Sequence, residues 1–140
     1  MKQYIGIPLS WHDLLALARY HRKMDIIERM EKANPAGYDL FFSDGCSMWP
    51  DEWRNGAVDL SGPCFWHDVA YFLGGTMEQR LAADRQLYAD VFCAAGIVMA
   101  QTMFTGVRAG GWLPGTGFHW GYGRLHLSAP QPHQAKNAYR

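Results

Sequence analysis

Two adjacent glycines followed at once by a helix-start signal, Gly74-Gly75 and then Thr76-Met77-Glu78-Gln79, constrain the fold of this chain more than any other feature. In a capping box the threonine hydroxyl accepts the backbone N–H three residues on, and the glutamine side chain there returns to the threonine backbone. A helix starts at Thr76 on that reading. Upstream, Ser61 is placed to cap a preceding helix, Pro63 is tolerated in its first turn, and the glycine pair ends it after Leu73. So short a connection makes the two helices antiparallel neighbours. The second keeps Leu81, Asp84, Leu87, Tyr88, Val91 and Ala95 on one face through Asp90, with Val107 as its furthest limit.

The first helix of the pair carries Cys64-Phe65-Trp66-His67-Asp68-Val69-Ala70-Tyr71. Residues three and four apart share a helix face, so Cys64, His67 or Asp68, and Tyr71 reach a common neighbour. A rise of about 1.5 Å per residue puts His67 roughly 10 Å before the glycine turn and Asp84 roughly 13 Å after it. The two are nearly level across the hairpin. A carboxylate so placed fixes the imidazole tautomer and stabilises the cation formed when the other ring nitrogen takes a proton from water, which is what general-base chemistry requires.

Before the hairpin, Ser10 to Asn34 reads as helix. Ser10 caps it with Asp13 three residues on, Leu14, Leu17, Ala18, Met24, Ile27 and Met30 recur at helical spacing, and Asn34-Pro35 stops it. His21-Arg22-Lys23 is a point at which it can break in two, and His12 and His21 are surface histidines. From Pro35 to Pro63 glycines and prolines punctuate a long loop, yet Tyr38, Leu40, Phe41, Phe42, Trp49 and Trp53 argue that it is ordered. Within it Asp44 stands beside a permissive Gly45. Carboxylate and carbonyl oxygens can be aimed there at a hard cation, although Asp-Gly is first of all a turn dipeptide.

The 140 residues are 49% hydrophobic, enough for one domain with a core and no obligatory metal or disulfide. Thirteen basic residues balance thirteen acidic ones, so the electrostatic footprint of a nucleic-acid partner is absent. No stretch approaches the length of a transmembrane segment. Met1 to Leu9, interrupted by Pro8, lacks the apolar core of a secretion signal, which points to a cytoplasmic or virion-associated place and leaves an extracellular one open by another route; in a reducing compartment the thiols would stay free. Three cysteines permit one internal bridge, and Cys93 reads as a small buried apolar residue. The glycine- and aromatic-rich residues 110–123 are expected to pack on the domain, with a lipid interface as the second use of their Trp and Tyr. Residues 128–140 read as a mobile tail.

Taken together, Asp44-Gly45-Cys46-Ser47, Pro50-Asp51, Cys64-x-x-His67-Asp68-x-x-Tyr71 and Asp84 beyond the hairpin resemble the secreted phospholipase A2 superfamily, most of all its small bacterial and fungal branch. The resemblance spans residues 38–92, within a domain of residues 1–127. It implies a mainly α, small single domain built on an antiparallel helix pair with a long ordered metal-binding loop. It also implies calcium-dependent hydrolysis of the sn-2 ester of glycerophospholipids, acting peripherally on phospholipid aggregates or a membrane surface. On that pattern His67 activates the water, Asp84 orients His67, and Tyr71 hydrogen-bonds Asp84. Asp68 would be the side-chain ligand of the calcium, with Asp44 and the Gly45 carbonyl as loop ligands. Cys46 and Cys64 would form the bridge that staples the loop to the catalytic helix. The hairpin is shorter than in the family, which makes Asp90 the fallback partner of His67, and the loop is less glycine-rich than in the animal enzymes. Two other readings stand beside it. One is a non-catalytic phospholipase A2-like interaction or virion structural protein, the other a zinc-stabilised binding domain with Cys46, Cys64 and His67 as three ligands.

Overall fold

The helix that carries His67, α3 (Ser61–Leu73), is apolar around nearly its whole circumference, so it is stable only when surrounded. In the computed structural model, which describes residues 1–46, 52–53, 58–110 and 119–125, it runs through the centre of a small, mainly helical single domain. From Cys64 to Leu73 every residue but His67 is buried. On one flank lie α1 (Trp11–Tyr20) and α2 (Met24–Lys32), whose Leu14, Ala18, Ile26 and Met30 pack with Phe41, Phe65, Trp66, Phe72 and Tyr122. On the other lie α4 (Met77–Ala95) and α5 (Ile97–Gly110), where Leu87, Val91, Met99, Ala100 and Met103 close over Leu60 and the Cys46–Cys64 pair.

The N-terminal helix does break at His21-Arg22-Lys23, with Arg22 at φ 55°. Ser10 Oγ caps α1 by accepting the Asp13 N–H at 3.1 Å. The break rotates the second segment, so Met24, expected on the apolar face, is exposed, while Ile26 and Met30 point inward. Of the expected loop, Leu9 and Phe41 exchange backbone hydrogen bonds, and a short ladder joins β1 (Glu52–Trp53) to β2 (Val58–Asp59), antiparallel. Asp59 Oδ1 accepts the Ser61 N–H at 2.8 Å. Ser61 is therefore the first helical residue and not the cap: Leu60 stands at the N-cap position with no side-chain bond, and Asp59, one residue further out, supplies the acceptor for the Ser61 N–H.

The capping box at Thr76 forms as expected: the Gln79 N–H donates to Thr76 Oγ1 at 3.1 Å, and the Thr76 N–H donates to Gln79 Oε1 at 2.9 Å. The helix it starts does not reach Val107. Gly96, at φ +88°, ends α4, and α5 folds back along it until the Val107 and Arg108 carbonyls meet Arg80 near the start of α4. A glycine adopts that backbone at no steric cost and so permits the reversal.

The last turn of a helix leaves carbonyls that need donors from elsewhere. At the end of α3 they are supplied by distant parts of the chain: Gly121 N–H to Tyr71 O at 2.7 Å, Gly123 N–H to Phe72 O at 3.1 Å, and both Tyr38 Oη and Arg124 Nε to Leu73 O at 2.9 Å. Trp120 Nε1 donates to Gly75 O at 2.9 Å, and Arg29 donates to Gly74 O. The approach is close enough to require glycine, since a Cβ on Gly123 would stand 2.1 Å from the Phe72 ring. Residues 119–123, the described end of the glycine- and aromatic-rich segment, thus pack on the domain as expected, and residues 111–118 lie outside the described residues. Trp49, Trp112 and the expected tail lie outside the described residues.

Candidate functional site

On α4 the positions i, i+4 and i+7 fall on one face, and Arg80, Asp84 and Leu87 form its buried stripe against α3. His67 and Tyr71, one turn apart on α3, face that stripe. His67 Nε2 meets Asp84 Oδ1 at 2.7 Å, and the Tyr71 hydroxyl donates to the same oxygen at 2.9 Å. The near-level placement read from helix rise is what the structure contains. Asp90, the fallback partner, instead accepts from Gln86 on the outer face of α4.

The other carboxylate oxygen, Asp84 Oδ2, accepts from Arg108 Nη1 at 2.8 Å. Arg80 Nε donates to the Tyr71 hydroxyl at 3.0 Å, so that oxygen accepts one bond and donates one. The Asp84 side chain has no exposed surface and that of His67 keeps 9%. Burial by itself would push the Asp84 carboxyl up, but hydrogen bonds from His67, Arg108 and Tyr71 together hold it below the ordinary carboxylate value. Burial, and then the neighbouring Asp84 carboxylate, push the Tyr71 hydroxyl well up, so it stays a proton donor. A carboxylate facing Nε2 fixes the imidazole as its Nε2–H tautomer and leaves Nδ1 as the acceptor, free of hydrogen bonds among the described residues. Such an arrangement can take a proton from water.

Asp68, the next residue on α3, meets the loop that precedes the helix instead. It is 8% exposed, and Ser43 Oγ donates to its Oδ2 at 2.7 Å, while the Gly45 N–H donates to Ser43 Oγ at 3.1 Å. Gly45 sits at φ +80°, a turn conformation that glycine adopts freely. Asp68 is thereby tied to the loop that holds Asp44 and Gly45. The donors gathered here are oxygens, which in kind suit a hard cation such as calcium. Among the described residues no group of three His, Cys, Asp or Glu side chains could hold a metal, so loop carbonyls would have to complete such a site. Residues 47–51, which include Asp51, lie outside the described residues.

Cys46 and Cys64 are joined in a disulfide with Cα atoms 5.1 Å apart, which fastens this loop to α3. Their sulfurs are bonded to each other and so are not thiolates for zinc, which dismantles the three-ligand set with His67. Cys93 is exposed, not buried, because α5 covers the opposite side of α4. No helix among the described residues is long and apolar enough to cross a membrane.

Three residues of the site, Arg80, Arg108 and Ser43, escape a reading of the sequence. Arg80 carried a usable signal, since it precedes Asp84 by four positions and shares its helix face. Ser43 stands next to Asp44 but gives no sign of its partner. Arg108 is reached only through the reversal at Gly96. No family model, no curated protein and no solved structure matches this chain.

Proposed function

We propose that the chain is a calcium-dependent esterase that cleaves the sn-2 ester of glycerophospholipids, in the manner of the phospholipase A2 superfamily that its motifs resemble. The observation that carries this reading is the 2.7 Å contact of His67 Nε2 with a fully buried Asp84 carboxylate that also binds Tyr71 and Arg108. A histidine so held is a general base with a defined tautomer and, among the described residues, no covalent nucleophile hydrogen-bonded to it. Cys64, the nearest thiol in sequence, is consumed in the disulfide.

In the proposed reaction His67 Nδ1 accepts a proton from water as the water oxygen bonds to the acyl carbon. The imidazolium that forms is stabilised by Asp84 through Nε2–H. Collapse of the tetrahedral adduct breaks the bond from the acyl carbon to the glycerol oxygen, and His67 returns its proton to that oxygen. The products are a fatty acid and a lysophospholipid. Asp68, Asp44 and the Gly45 carbonyl would hold a calcium ion, whose charge polarises the ester carbonyl and offsets the phosphate when it is bound. The partner on this reading is a phospholipid aggregate or membrane surface.

The experiment is fatty-acid release from phospholipid vesicles of several headgroups, with calcium and with chelator, for the native chain and His67→Ala. Release that stops in chelator and falls by about a thousandfold in His67→Ala is expected. No release from folded protein on any headgroup would overturn the proposal and leave a scaffold that keeps the helix pair without the chemistry.

A further inference from the structure

The proposed reaction makes no use of α5, yet α5 reaches the His67–Asp84 pair by two routes. Arg108, whose side chain is 33% exposed, holds Asp84 Oδ2 at 2.8 Å, on the oxygen that neither His67 nor Tyr71 touches. Arg80, 4% exposed, donates through Nε to the Tyr71 hydroxyl and through Nη2 to Val107 O at 2.9 Å and Arg108 O at 3.1 Å. Those carbonyls belong to the last turn of α5, where the helix leaves acceptors unfilled and partial negative charge gathers. One guanidinium therefore closes α5 and fixes the acceptor side of Tyr71. A hydroxyl has a single proton, and with Arg80 on its oxygen the Tyr71 proton is left for Asp84.

The torsion that turns a carboxylate is soft. Here both ends of it are taken, Oδ1 by His67 and Tyr71 and Oδ2 by a cation. We propose that Arg108 is a positioning residue: α5 docks on the hairpin through Arg80, and Arg108 then locks the Asp84 carboxylate in the orientation that holds His67, so that the site is complete only with α5 in place. The inference rests on the reading of His67 as the general base. Lysine at this position keeps the charge as a point donor, whereas glutamine keeps a donor and loses the charge.

The test combines two readouts on the full chain. Proton NMR follows the downfield signal of the His67 Nε2–H, which is protected from exchange with water only while Asp84 holds it, and vesicle assays give kcat and KM. The signal is expected in the native chain and in Arg108→Lys, and lost in Arg108→Gln, with kcat down about 10- to 100-fold and KM within about threefold. An undiminished signal in Arg108→Gln overturns the proposal, as does its absence from the native chain. Should Arg108→Gln not fold, Arg108→Lys decides: native signal with kcat within about fivefold upholds the proposal, and a folded chain without the signal overturns it. Because the signal reads geometry and not turnover, a native chain that releases no fatty acid but whose signal depends on Arg108 overturns the hydrolase reading alone. Release with a signal indifferent to Arg108 overturns only the role of Arg108.

Discussion

The two flanks of α3 are held by different physics. Toward α1, α2 and residues 119–125 the contacts are aromatic, with Phe41 edge-on to Phe65 and to Phe72 at 5.3 Å each, and Phe72 edge-on to Tyr122 at 5.6 Å. Toward α4 and α5 the side chains are smaller and aliphatic, and among them runs the polar chain from His67 through Asp84 to Arg108, with Tyr71 and Arg80 beside it. Ring packing fixes where the helix lies, because large rings exclude water and tolerate few alternative arrangements. A buried charge network contributes little net stability, since desolvation offsets most of its attraction. The lesson of the contrast is that one flank holds the helix still so that the other can hold a proton in one place.

Substitutions on the two flanks should accordingly fail in different ways. The largest effect belongs to the polar flank: Asp84→Asn is expected to lower fatty-acid release per folded chain by about 10³- to 10⁴-fold, because the amide no longer selects the productive imidazole tautomer. Asp90→Asn, on the outer face of α4, should stay within about twofold of native. The reverse pattern would transfer the orienting role to Asp90. Next comes the staple between loop and α3. Replacing Cys46 and Cys64 together by Ser opens a loop with a sequence separation of 18 and should cost about 3 kcal/mol in urea titration. A cost near zero would mean that packing alone holds the loop.

The aromatic flank is probed by Gly123→Ala, whose Cβ would meet Phe72 at 2.1 Å. A loss of about 2 kcal/mol is expected with release per folded chain unchanged. If activity fell with stability, the separation of the two flanks would break down. The smallest effect is on acid stability. Asp84 is held below its ordinary value of 3.8, so the folded chain binds this proton less readily than the unfolded one. Its contribution is present above that ordinary value and is lost as pH falls through the lower folded one. Melting temperatures followed from about pH 5 to about pH 2 should therefore fall less steeply in Asp84→Asn than in the native chain. Parallel curves would show that Asp84 is not the carboxylate concerned.

How much of this was legible before folding differs from residue to residue. The capping box at Thr76 and the glycine pair lie within a few residues of the groups they control, so the hairpin and the level of His67 with Asp84 follow from local rules alone. Gly96 belongs to the same grammar, a glycine after Ala94-Ala95, but the apolar face continues past it in Met99 and Met103, and the continuity hid the stop. Met24 misled because a break of three residues resets the helical phase. Cys46 and Cys64 were paired by resemblance, since spacing alone does not choose among three cysteines.

The sequence by itself determined the mainly helical character, the antiparallel hairpin and the partnership of His67 with Asp84, because helix starts and stops are local signals and a two-glycine turn brings residues 17 apart level across the hairpin. Tertiary structure decided what surrounds that partnership. Arg108 reaches Asp84 from 24 positions away, and the end of α3 finds its hydrogen-bond donors in Tyr38, Gly121, Gly123 and Arg124. No local rule reports such contacts. They exist because a buried carboxylate and a buried helix end must be satisfied by whatever the fold brings near, and only the folded chain settles which groups those are.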